Sequence, residues 1–302
     1  MSTQSLELAQ VIPPQALSRP TYLMCPPQFY DVHYVINPWM AGNLHAASHE
    51  RASVQWHRLH HALSEIADIM LVEPQSGLPD MVFTANAGLE RDGIVVLSNF
   101  SHAERQPEER YFRHWFLASG YNVLDLPRDI SFEGEGDALF SRDGLRLWAG
   151  CGTRTSRESH SHLARAWNVE VVSLRLVDPR FYHLDTCFAP LNDGYVMYYP
   201  AAFDAVSVAS IEAFYPPEKR ILVSESDASR FACNAINVDC TLVLHEISRE
   251  LTIQLEAANF TVVPLALDEF LKAGGAAKCL VMKLSPSNPQ QTSGLNNTHP
   301  IV

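Results

Sequence analysis

Three Asp-Gly pairs recur along the chain at a nearly constant interval, and this spacing limits the folds that the chain can adopt. The pairs are Asp92-Gly93, Asp143-Gly144 and Asp193-Gly194, their glycines lie 51 and 50 residues apart, and each pair stands between apolar runs. Asp-Gly supplies the positive φ that a tight hairpin turn requires, so each pair predicts two antiparallel strands. A unit of this length cannot bury its apolar face alone, which favours an architecture of packed repeats.

A helical pattern follows each hairpin, and a short β-rich run follows each helix. Helices are predicted near residues 107–118, 156–166 and 202–214. The runs that supply the strand after a helix are DIMLVEP, YNVLDLP, VEVVSLRL, KRILVSE and FTVVPLA. These segments make about five ββαβ units, which we expect to close into a ring with no free edge. An open parallel sheet is the alternative, but it predicts one buried strand per helix and no hairpins.

Composition and charge narrow the classes of partner. The chain has 302 residues, 47% of them hydrophobic, and a formal net charge of -12, which argues against nucleic acid or an anionic membrane and mildly favours a cationic small molecule. No secretory leader or membrane span is evident, so we expect a cytoplasmic protein. We predict one catalytic domain over residues 21–285, between an N-terminal extension (1–20) and a polar C-terminal tail (286–302).

Six polar residues recur with nearly the period of the hairpins. The steps between them are 49, 47, 50, 51 and 45 residues, and they are Asn37, Asn86, Glu133, His183, Asn234 and Cys279. In a ring of repeated units, equal phase means equal radius and height. We therefore predict that these side chains converge on the pseudo-axis, where a thiol, an imidazole, a carboxylate and amides would form a site.

The motifs around these residues resemble the guanidino-group-modifying superfamily of arginine deiminases, dimethylarginine hydrolases, amidinotransferases and arginine dihydrolases. INPWM, DMVFTANAG, HAERQ, FEGEGDAL, GTRT, HLDTCF and CNAIN occur in order between Tyr22 and about Leu284, and they are most similar to the arginine dihydrolase type. The resemblance implies a five-bladed α/β propeller with pseudo-fivefold ββαβ repeats, in agreement with the ring. A bifunctional relative carries a further domain that acts on ornithine, which we expect this chain to lack.

Cys279 is the expected nucleophile. A guanidinium is cationic and stabilised by resonance, so a thiolate must attack it, and Gly274 and Gly275 let the substrate and the backbone approach closely. The adjacent Lys278 is expected to lower the pKa of the thiol. Six cysteines without a CxxC pair are expected to be reduced, and Cys187 is predicted to be a buried structural thiol.

The resemblance assigns the remaining catalytic and binding roles. His183 would protonate the departing ammonia and then deprotonate water, and Glu133 would pair with the guanidinium nitrogens. Asp185 would hold the guanidinium or orient the imidazole. Arg105 and Arg154 match positions that bind the substrate carboxylate.

Asn86 distinguishes the possible products. Deiminases that stop at citrulline have an acid at this position, whereas an amide can both donate to and accept from a neutral urea. With Asn37, Asn86 would retain the ureido product for a second attack, so that arginine gives ornithine, CO2 and two NH3 through a covalent amidino-cysteine. Dimethylarginine hydrolysis and simple deimination are the alternatives, followed by amidino transfer and a non-catalytic binding protein.

Histidine clusters raise the question of a metal enzyme. His45 and His49 are spaced i,i+4, while the apolar stripe of the next predicted helix puts His57 and His61 on its wet flank. No carboxylate spacing completes a site, so we expect neither a metal nor another cofactor in the reaction. The roles of Glu135, Asp137 and Asn234 and the formation of a homo-oligomer are left open.

Overall fold

Five three-stranded β-sheets make up the β-structure of the computed structural model, which describes residues 19–285. The predicted tail and nearly all of the predicted N-terminal extension lie outside these described residues. The fold is α/β, and its five sheets fit a pseudo-fivefold repeat. The open parallel sheet that was the alternative is absent from residues 19–285.

The strands are short and lie in the order that the repeat predicts. In chain order they are β1 Thr21–Met24, β2 Asp68–Leu71, β3 Gly88–Arg91, β4 Ile94–Leu97, β5 Asn122–Leu124, β6 Ala138–Phe140, β7 Arg146–Cys151, β8 Glu170–Arg175, β9 Phe188–Pro190, β10 Val196–Tyr198, β11 Arg220–Leu222, β12 Ile236–Val238, β13 Thr241–His245, β14 Thr261–Leu265 and β15 Met282–Leu284. The α-helices are α1 His49–Ser64, α2 Glu109–Ala118, α3 Ser159–Trp167, α4 Ala205–Phe214, α5 Glu225–Ala228, α6 Arg249–Ala257 and α7 Asp268–Leu271.

Every sheet has the same topology. An antiparallel pair is followed by a helix, and the chain then returns to add a third strand parallel to the middle one. In one sheet β3 pairs antiparallel with β4, helix α2 follows, and β5 pairs parallel with β4. A parallel pair needs such a crossover, and each helix buries its apolar stripe against the sheets. The strand, turn, strand, helix, strand unit is therefore confirmed.

One sheet joins the two ends of the described chain. Strand β1 pairs antiparallel with β15, where Thr21 faces Leu284, and parallel with β2, where Thr21 faces Asp68. Cys279 lies just ahead of β15. Six positions at the repeat interval predict such an overlap among five units. The overlap is confirmed, although one of the six, Asn37, lies in a different part of its unit.

The hairpin turns show which units of the repeat can be recognised from the sequence. Asp92 and Asp193 have φ of 55° each, and their glycines also have positive φ, as a tight Asp-Gly turn requires. A fourth hairpin, between β12 and β13, turns at Asp239 with φ of 47° and has no glycine. Asp tolerates this backbone region, so the turn forms without the sequence signal.

The apolar core lies between the sheets and the helices. Helix α1 begins after Ser48, whose hydroxyl accepts a hydrogen bond from the Arg51 amide at 3.4 Å, and it buries Trp56, Leu59 and Leu63. His57 and His61 are exposed on the opposite face, as predicted. Among residues 19–285, no helix is both long and apolar enough to span a bilayer.

Candidate active site

Five of the six phased residues occupy the same place in their sheets. Each lies in the turn that precedes the first strand of a sheet, namely Asn86 before β3, Glu133 before β6, His183 before β9, Asn234 before β12 and Cys279 before β15. All five side chains are buried. The 50-residue step therefore marks equivalent turns.

Asn37 does not share this place, so the prediction of equal phase is wrong for it. It lies between β1 and α1, just as Arg105 lies between β4 and α2 and Arg154 between β7 and α3. Asn37 caps a short 3-10 turn by accepting from the Met40 amide at 3.2 Å, and its amide donates to the Ala273 carbonyl at 3.0 Å. The sixth position thus belongs to a second set of segments, which follow the middle strands.

The Cys279 thiol is held by two neighbours. The Asn234 amide nitrogen lies 3.1 Å from the sulfur, and the Asn234 side-chain oxygen accepts from the Cys279 backbone N–H at 3.0 Å. The thiol itself donates to the Asp185 carboxylate at 3.5 Å. Burial raises the pKa of Cys279 well above its usual value, and the charge of Asp185 raises it further. The resting form of Cys279 is therefore the thiol.

The charge of Lys278 lowers the pKa of this thiol, as the sequence predicts. Burial and the charge of Asp185 raise that pKa by more, so the net shift is upward. The Lys278 ammonium donates to Glu135 at 2.7 Å. Glu135, whose role was left open, thus neutralises the lysine. Asp137, also left open, accepts from the Thr155 hydroxyl at 2.6 Å and braces the turn before β6.

Asp185 faces the nucleophile. Burial raises the pKa of its carboxyl to about 7, against the opposing effects of Lys278 and of hydrogen bonds from Cys279 and Asn234. Its second oxygen is buried and accepts no hydrogen bond from any described residue. The predicted alternative, that Asp185 orients the His183 ring, is not what the contacts give.

Glu133 orients the imidazole instead. The ring Nε2 of His183 lies 2.7 Å from one Glu133 oxygen, and Arg154 donates to the same oxygen at 2.9 Å. Ser101 donates to the other oxygen at 2.9 Å. Burial raises the pKa of Glu133, but Arg154 and His183 outweigh it and hold that pKa well below its usual range. Glu133 is therefore a buried, permanently charged carboxylate.

Both predicted binding arginines are buried ion-pair partners. Arg105 donates two hydrogen bonds to Glu108, at 3.0 and 2.8 Å, and a third to the Asn86 side-chain oxygen at 2.8 Å. The Asn86 amide in turn donates to the Glu133 carbonyl at 3.2 Å. Asn86 thus connects the Arg105 pair to the turn that carries Glu133. Arg154 is the partner of Glu133.

A small pocket opens onto these groups. Its wall contains Asn37, Asn86, Arg105, Arg154 and Cys279, together with Ile36, Met40, Asp80, Phe83, Tyr182, Ala273 and Gly275. Glu133 and Asp185 are not lining residues, but they bond to Arg154 and Cys279, which are. His183 is not a lining residue either, and it contacts Glu133. The pocket brings the nucleophile, both amides and both arginines together.

Among the wall residues that sequence reasoning missed, two carry polar side chains. Asp80 is buried, accepts from the Tyr34 hydroxyl at 3.0 Å, and its pKa is raised by burial. Tyr182 donates to the Gly274 carbonyl at 2.7 Å, and Arg154 lies over its ring at 4.8 Å. Asp80 is the first residue of the motif DMVFTANAG, and Tyr182 directly precedes HLDT. Their place in or beside these motifs is the sequence signal that identifies them.

Glycines let the site turns touch one another. A Cβ added to Gly136 would lie 2.4 Å from the Asn86 side-chain nitrogen and 3.2 Å from His183 Nδ1. A Cβ on Gly275 would lie 2.4 Å from the Phe83 ring. Real side chains do not approach so closely, which explains the glycines of FEGEGD and of the segment ahead of Cys279.

Cys187 lies in the apolar core, as predicted. It is fully buried, its thiol donates to the Leu184 carbonyl at 3.6 Å, and burial raises its pKa well above the usual value. Nothing among the described residues activates it, so its buried, protonated thiol is inert.

Comparison with known proteins identifies a matching family model and several related proteins. The family model described as "N,N dimethylarginine dimethylhydrolase, eukaryotic" matches residues 36–285. The bifunctional arginine dihydrolase/ornithine cyclodeaminase ArgZ of Synechocystis sp. is 57% identical over 87% of this chain, which spans 37% of that relative. The N(G),N(G)-dimethylarginine dimethylaminohydrolase of Mycobacterium tuberculosis is 40% identical over 88% of this chain and 86% of the relative.

A solved structure is similar over nearly its whole length. It is the N-terminal domain of an asparagine-to-serine mutant of ArgZ, covalently bound to a reaction intermediate. Its TM-score is 0.87 at 56% identity, and the match covers 87% of this chain and 97% of that chain. The chain described here thus spans little more than a third of full-length ArgZ and nearly all of that N-terminal domain.

Proposed function

The chain belongs to the N,N dimethylarginine dimethylhydrolase family, and from this premise we propose that it is a cysteine hydrolase of the arginine guanidinium group. We propose further that it is an arginine dihydrolase, converting arginine and two waters into ornithine, CO2 and two NH3. The observation that carries the proposal is the Cys279 thiol, held by Asn234 and Asp185 in the wall of a pocket that two amides and two arginines complete. The similarity to ArgZ supports the choice of product.

Covalent attack begins at Cys279. Its thiol proton passes to Asp185, whose carboxyl has a pKa near neutrality and already accepts from the sulfur. The thiolate then attacks the guanidinium carbon, and the amide of Asn234, 3.1 Å from the sulfur, stabilises the charge. A C–N bond breaks, ammonia leaves, and an amidino-cysteine remains.

Hydrolysis of this intermediate requires a base and a water. His183 protonates the departing ammonia and then takes a proton from the attacking water, because Glu133 fixes its ring and stabilises its cation. The C–S bond breaks and leaves a ureido group. A second attack of the same kind releases a second ammonia, and the resulting carbamate loses CO2.

Asn86 and Asn37 are proposed to hold the substrate group between the two attacks, and Arg105 and Arg154 to bind the substrate carboxylate. All four line the pocket. Glu133 is proposed to complement the guanidinium charge from behind the wall, through Arg154 and His183. No metal and no other cofactor has a part in this reaction scheme.

The product analysis tests the proposal. The full chain is incubated with arginine, and ornithine, citrulline and ammonia are quantified. Two ammonia per ornithine are expected, whereas citrulline with one ammonia would contradict the dihydrolase assignment and leave the thiol chemistry standing.

Asn86 variants sharpen this test. Asn86→Asp keeps an acceptor for Arg105 and loses the donor to the Glu133 carbonyl, and Asn86→Ser loses the side-chain amide altogether. An unpaired buried partner costs about 1–3 kcal/mol, so citrulline should accumulate by roughly tenfold or more. Asn99→Ser is the matched control, because Asn99 is buried and bonds backbone carbonyls away from the pocket. Equal partitioning in all three variants would contradict the role of Asn86.

Dimethylarginine hydrolysis is a second candidate, favoured by the family model and by the Mycobacterium tuberculosis relative. It predicts release of dimethylamine from dimethylarginine at a higher kcat/KM than release of ammonia from arginine. Measuring both reactions on one preparation decides between the two substrates.

We also propose that residues 21–285 form one catalytic domain and that the five sheets close into a five-bladed α/β propeller. The pairing of β1 with β15 supports closure, since a ring requires the last unit to be completed by the first strand. We propose a cytoplasmic location for the chain as well.

A further inference from the structure

Two histidines and an aspartate meet on the segment that joins β1 to α1. Asp31 Oδ2 lies 3.4 Å from His33 Nε2 and 3.0 Å from His45 Nδ1, and the three atoms lie within 4.8 Å of one another. Ligand atoms at the corners of a tetrahedral zinc site are about 3.3 Å apart, given bonds of about 2.0–2.2 Å. We infer that Asp31, His33 and His45 form a binding site for a divalent transition metal ion, with Zn²⁺ the best fit.

The backbone holds these three groups on one side of the segment. The Val32 amide donates to Asp31 Oδ1 at 2.8 Å, which fixes the carboxylate and leaves Oδ2 facing the histidines. His45 has a φ of 53°, and its amide donates to the Val32 carbonyl at 2.9 Å. A left-handed backbone is uncommon for a residue other than glycine. The segment therefore adopts an uncommon backbone shape that brings His45 to Asp31.

The chemistry of the donors selects the kind of ion. Two imidazoles and one carboxylate suit zinc and its neighbours in the first transition row, whereas Ca²⁺ and Mg²⁺ prefer oxygen ligands. The Asp31 side chain is 27% exposed and that of His33 43%, so water can complete the coordination.

The ion would act on the wall of the pocket without touching the reacting atoms. Between its ligands the segment carries Ile36, Asn37 and Met40, which line the pocket, and Tyr34, which donates to Asp80 at 3.0 Å. A bound ion joins the two ends of this stretch. We therefore expect a bound ion to slow the local opening of residues 31–45, the segment that carries Asn37. Neither the binding of the ion nor this slower opening rests on the proposed function.

Binding is tested on the full chain with Co²⁺ as a spectroscopic substitute for Zn²⁺, followed by competition with Zn²⁺. We expect one ion per chain, visible ligand-field bands and no thiolate charge-transfer band. His33→Asn, His45→Asn and Asp31→Asn should each weaken binding at least tenfold, as expected for loss of a metal ligand. Asn tolerates positive φ, so His45→Asn removes the ligand without adding backbone strain. His61→Asn, on the exposed face of α1, is the matched control and should leave the affinity unchanged.

Three results would overturn the site: no binding at millimolar metal, an affinity that survives the His33 and His45 substitutions, or a thiolate band that disappears in Cys279→Ser. Hydrogen exchange measures the structural consequence independently of turnover. Zn²⁺ should slow exchange across residues 31–45 in the wild-type chain and leave it unchanged in His45→Asn. Equal exchange with and without Zn²⁺ in the wild-type chain would contradict the coupling, whether or not arginine is the substrate.

Discussion

Two buried carboxylates of the same site, Glu133 and Asp185, differ in almost every property that their environment controls. Glu133 accepts from Arg154 and His183, and its pKa lies well below the usual range. Asp185 accepts from the Cys279 thiol, one of its oxygens has no partner among the described residues, and its pKa is raised to about 7. Burial alone would raise the pKa of both carboxyls, so their opposite net shifts are due to the neighbouring charges.

The comparison assigns different work to the two acids. A carboxylate that is always charged can hold an imidazolium but cannot accept a proton near neutral pH. A carboxyl whose pKa lies near neutrality can take a proton from a thiol and return it. The carboxylate beside His183 therefore keeps a fixed charge while the imidazole exchanges protons, whereas the carboxyl beside Cys279 exchanges a proton itself.

The largest expected effect is loss of the nucleophile on the Cys279 side. Cys279→Ser should lower turnover by a factor on the order of 10⁴ or more, because an alcohol is a far weaker nucleophile than a thiolate. Circular dichroism should report an unchanged fold. Cys187→Ser is the control and should keep most of its turnover, and a haloacetamidine should label Cys279 first. Labelling of Cys187 ahead of Cys279 would mean that the wrong thiol was chosen.

Asp185→Asn tests the proton acceptor. We expect kcat to fall by about 10²–10⁴, the usual worth of general acid-base catalysis. In the wild-type chain the carboxyl is protonated below pH 7, so kcat/KM should rise as the pH rises through about 7. That limb should be absent from the variant, and a pH profile that keeps it would assign the limb to another group.

Unfolding experiments on Asp185→Asn test whether the pKa of Asp185 is raised in the folded chain. A carboxyl with a raised folded pKa favours the folded state in its neutral form, so its contribution to stability is lost as the pH rises from about 4 to about 7. The variant should lack this decline.

Glu133→Gln tests the carboxylate whose charge is fixed, the one beside His183. Removing one partner of a buried ion pair leaves Arg154 without its countercharge, which costs about 3–5 kcal/mol of unfolding free energy. A lowered folded pKa stabilises above the unfolded pKa, so this contribution should be lost as the pH falls below about 4.5. Urea unfolding from pH 8 down to about pH 2 measures both effects. Glu212→Gln removes a surface pair with Arg220 and should cost less than about 1 kcal/mol.

The smallest effect is expected at Asn234, which lies beside the Cys279 sulfur and takes no part in proton transfer. Asn234→Ala removes the amide 3.1 Å from the sulfur, and a hydrogen bond to a charged group is worth about 1.5–3 kcal/mol. Turnover should fall by roughly 10- to 100-fold. The alkylation rate of Cys279 by neutral iodoacetamide should fall with it at fixed pH, and an unchanged rate would contradict thiolate stabilisation by Asn234.

The repeat was readable from the sequence because hairpin turns leave a local signature. Asp92-Gly93 and Asp193-Gly194 adopt positive φ, and the same interval led to the turns that carry Glu133, His183 and Cys279. Asp239 turns a hairpin without glycine and left no such signal. Asn37 had the right spacing by coincidence of loop length, since it follows a middle strand.

Electrostatics was the part that the sequence concealed. Lys278 adjoins Cys279 in the chain, but Glu135, 143 residues away, takes up its charge. Whether Glu133 or Asp185 faces the imidazole depends on distances across the sheets, and neighbouring residues in the sequence do not reveal these distances. The buried ion pair of Arg105 with Glu108 was likewise not expected from the sequence, because an arginine is by default a surface residue.

The pairing of β1 with β15 also sets an order of events during synthesis. At about 5–20 residues per second, a ribosome needs on the order of tens of seconds to make the stretch between these strands. Until β15 is made, the first strand can pair with β2 on one side but has no antiparallel partner on the other. The turns of Asn86, Glu133, His183 and Asn234 are all made before Cys279 leaves the ribosome. The nascent chain therefore carries no assembled active site until its last described strand is translated, and the step that completes the fold also introduces the reactive sulfur.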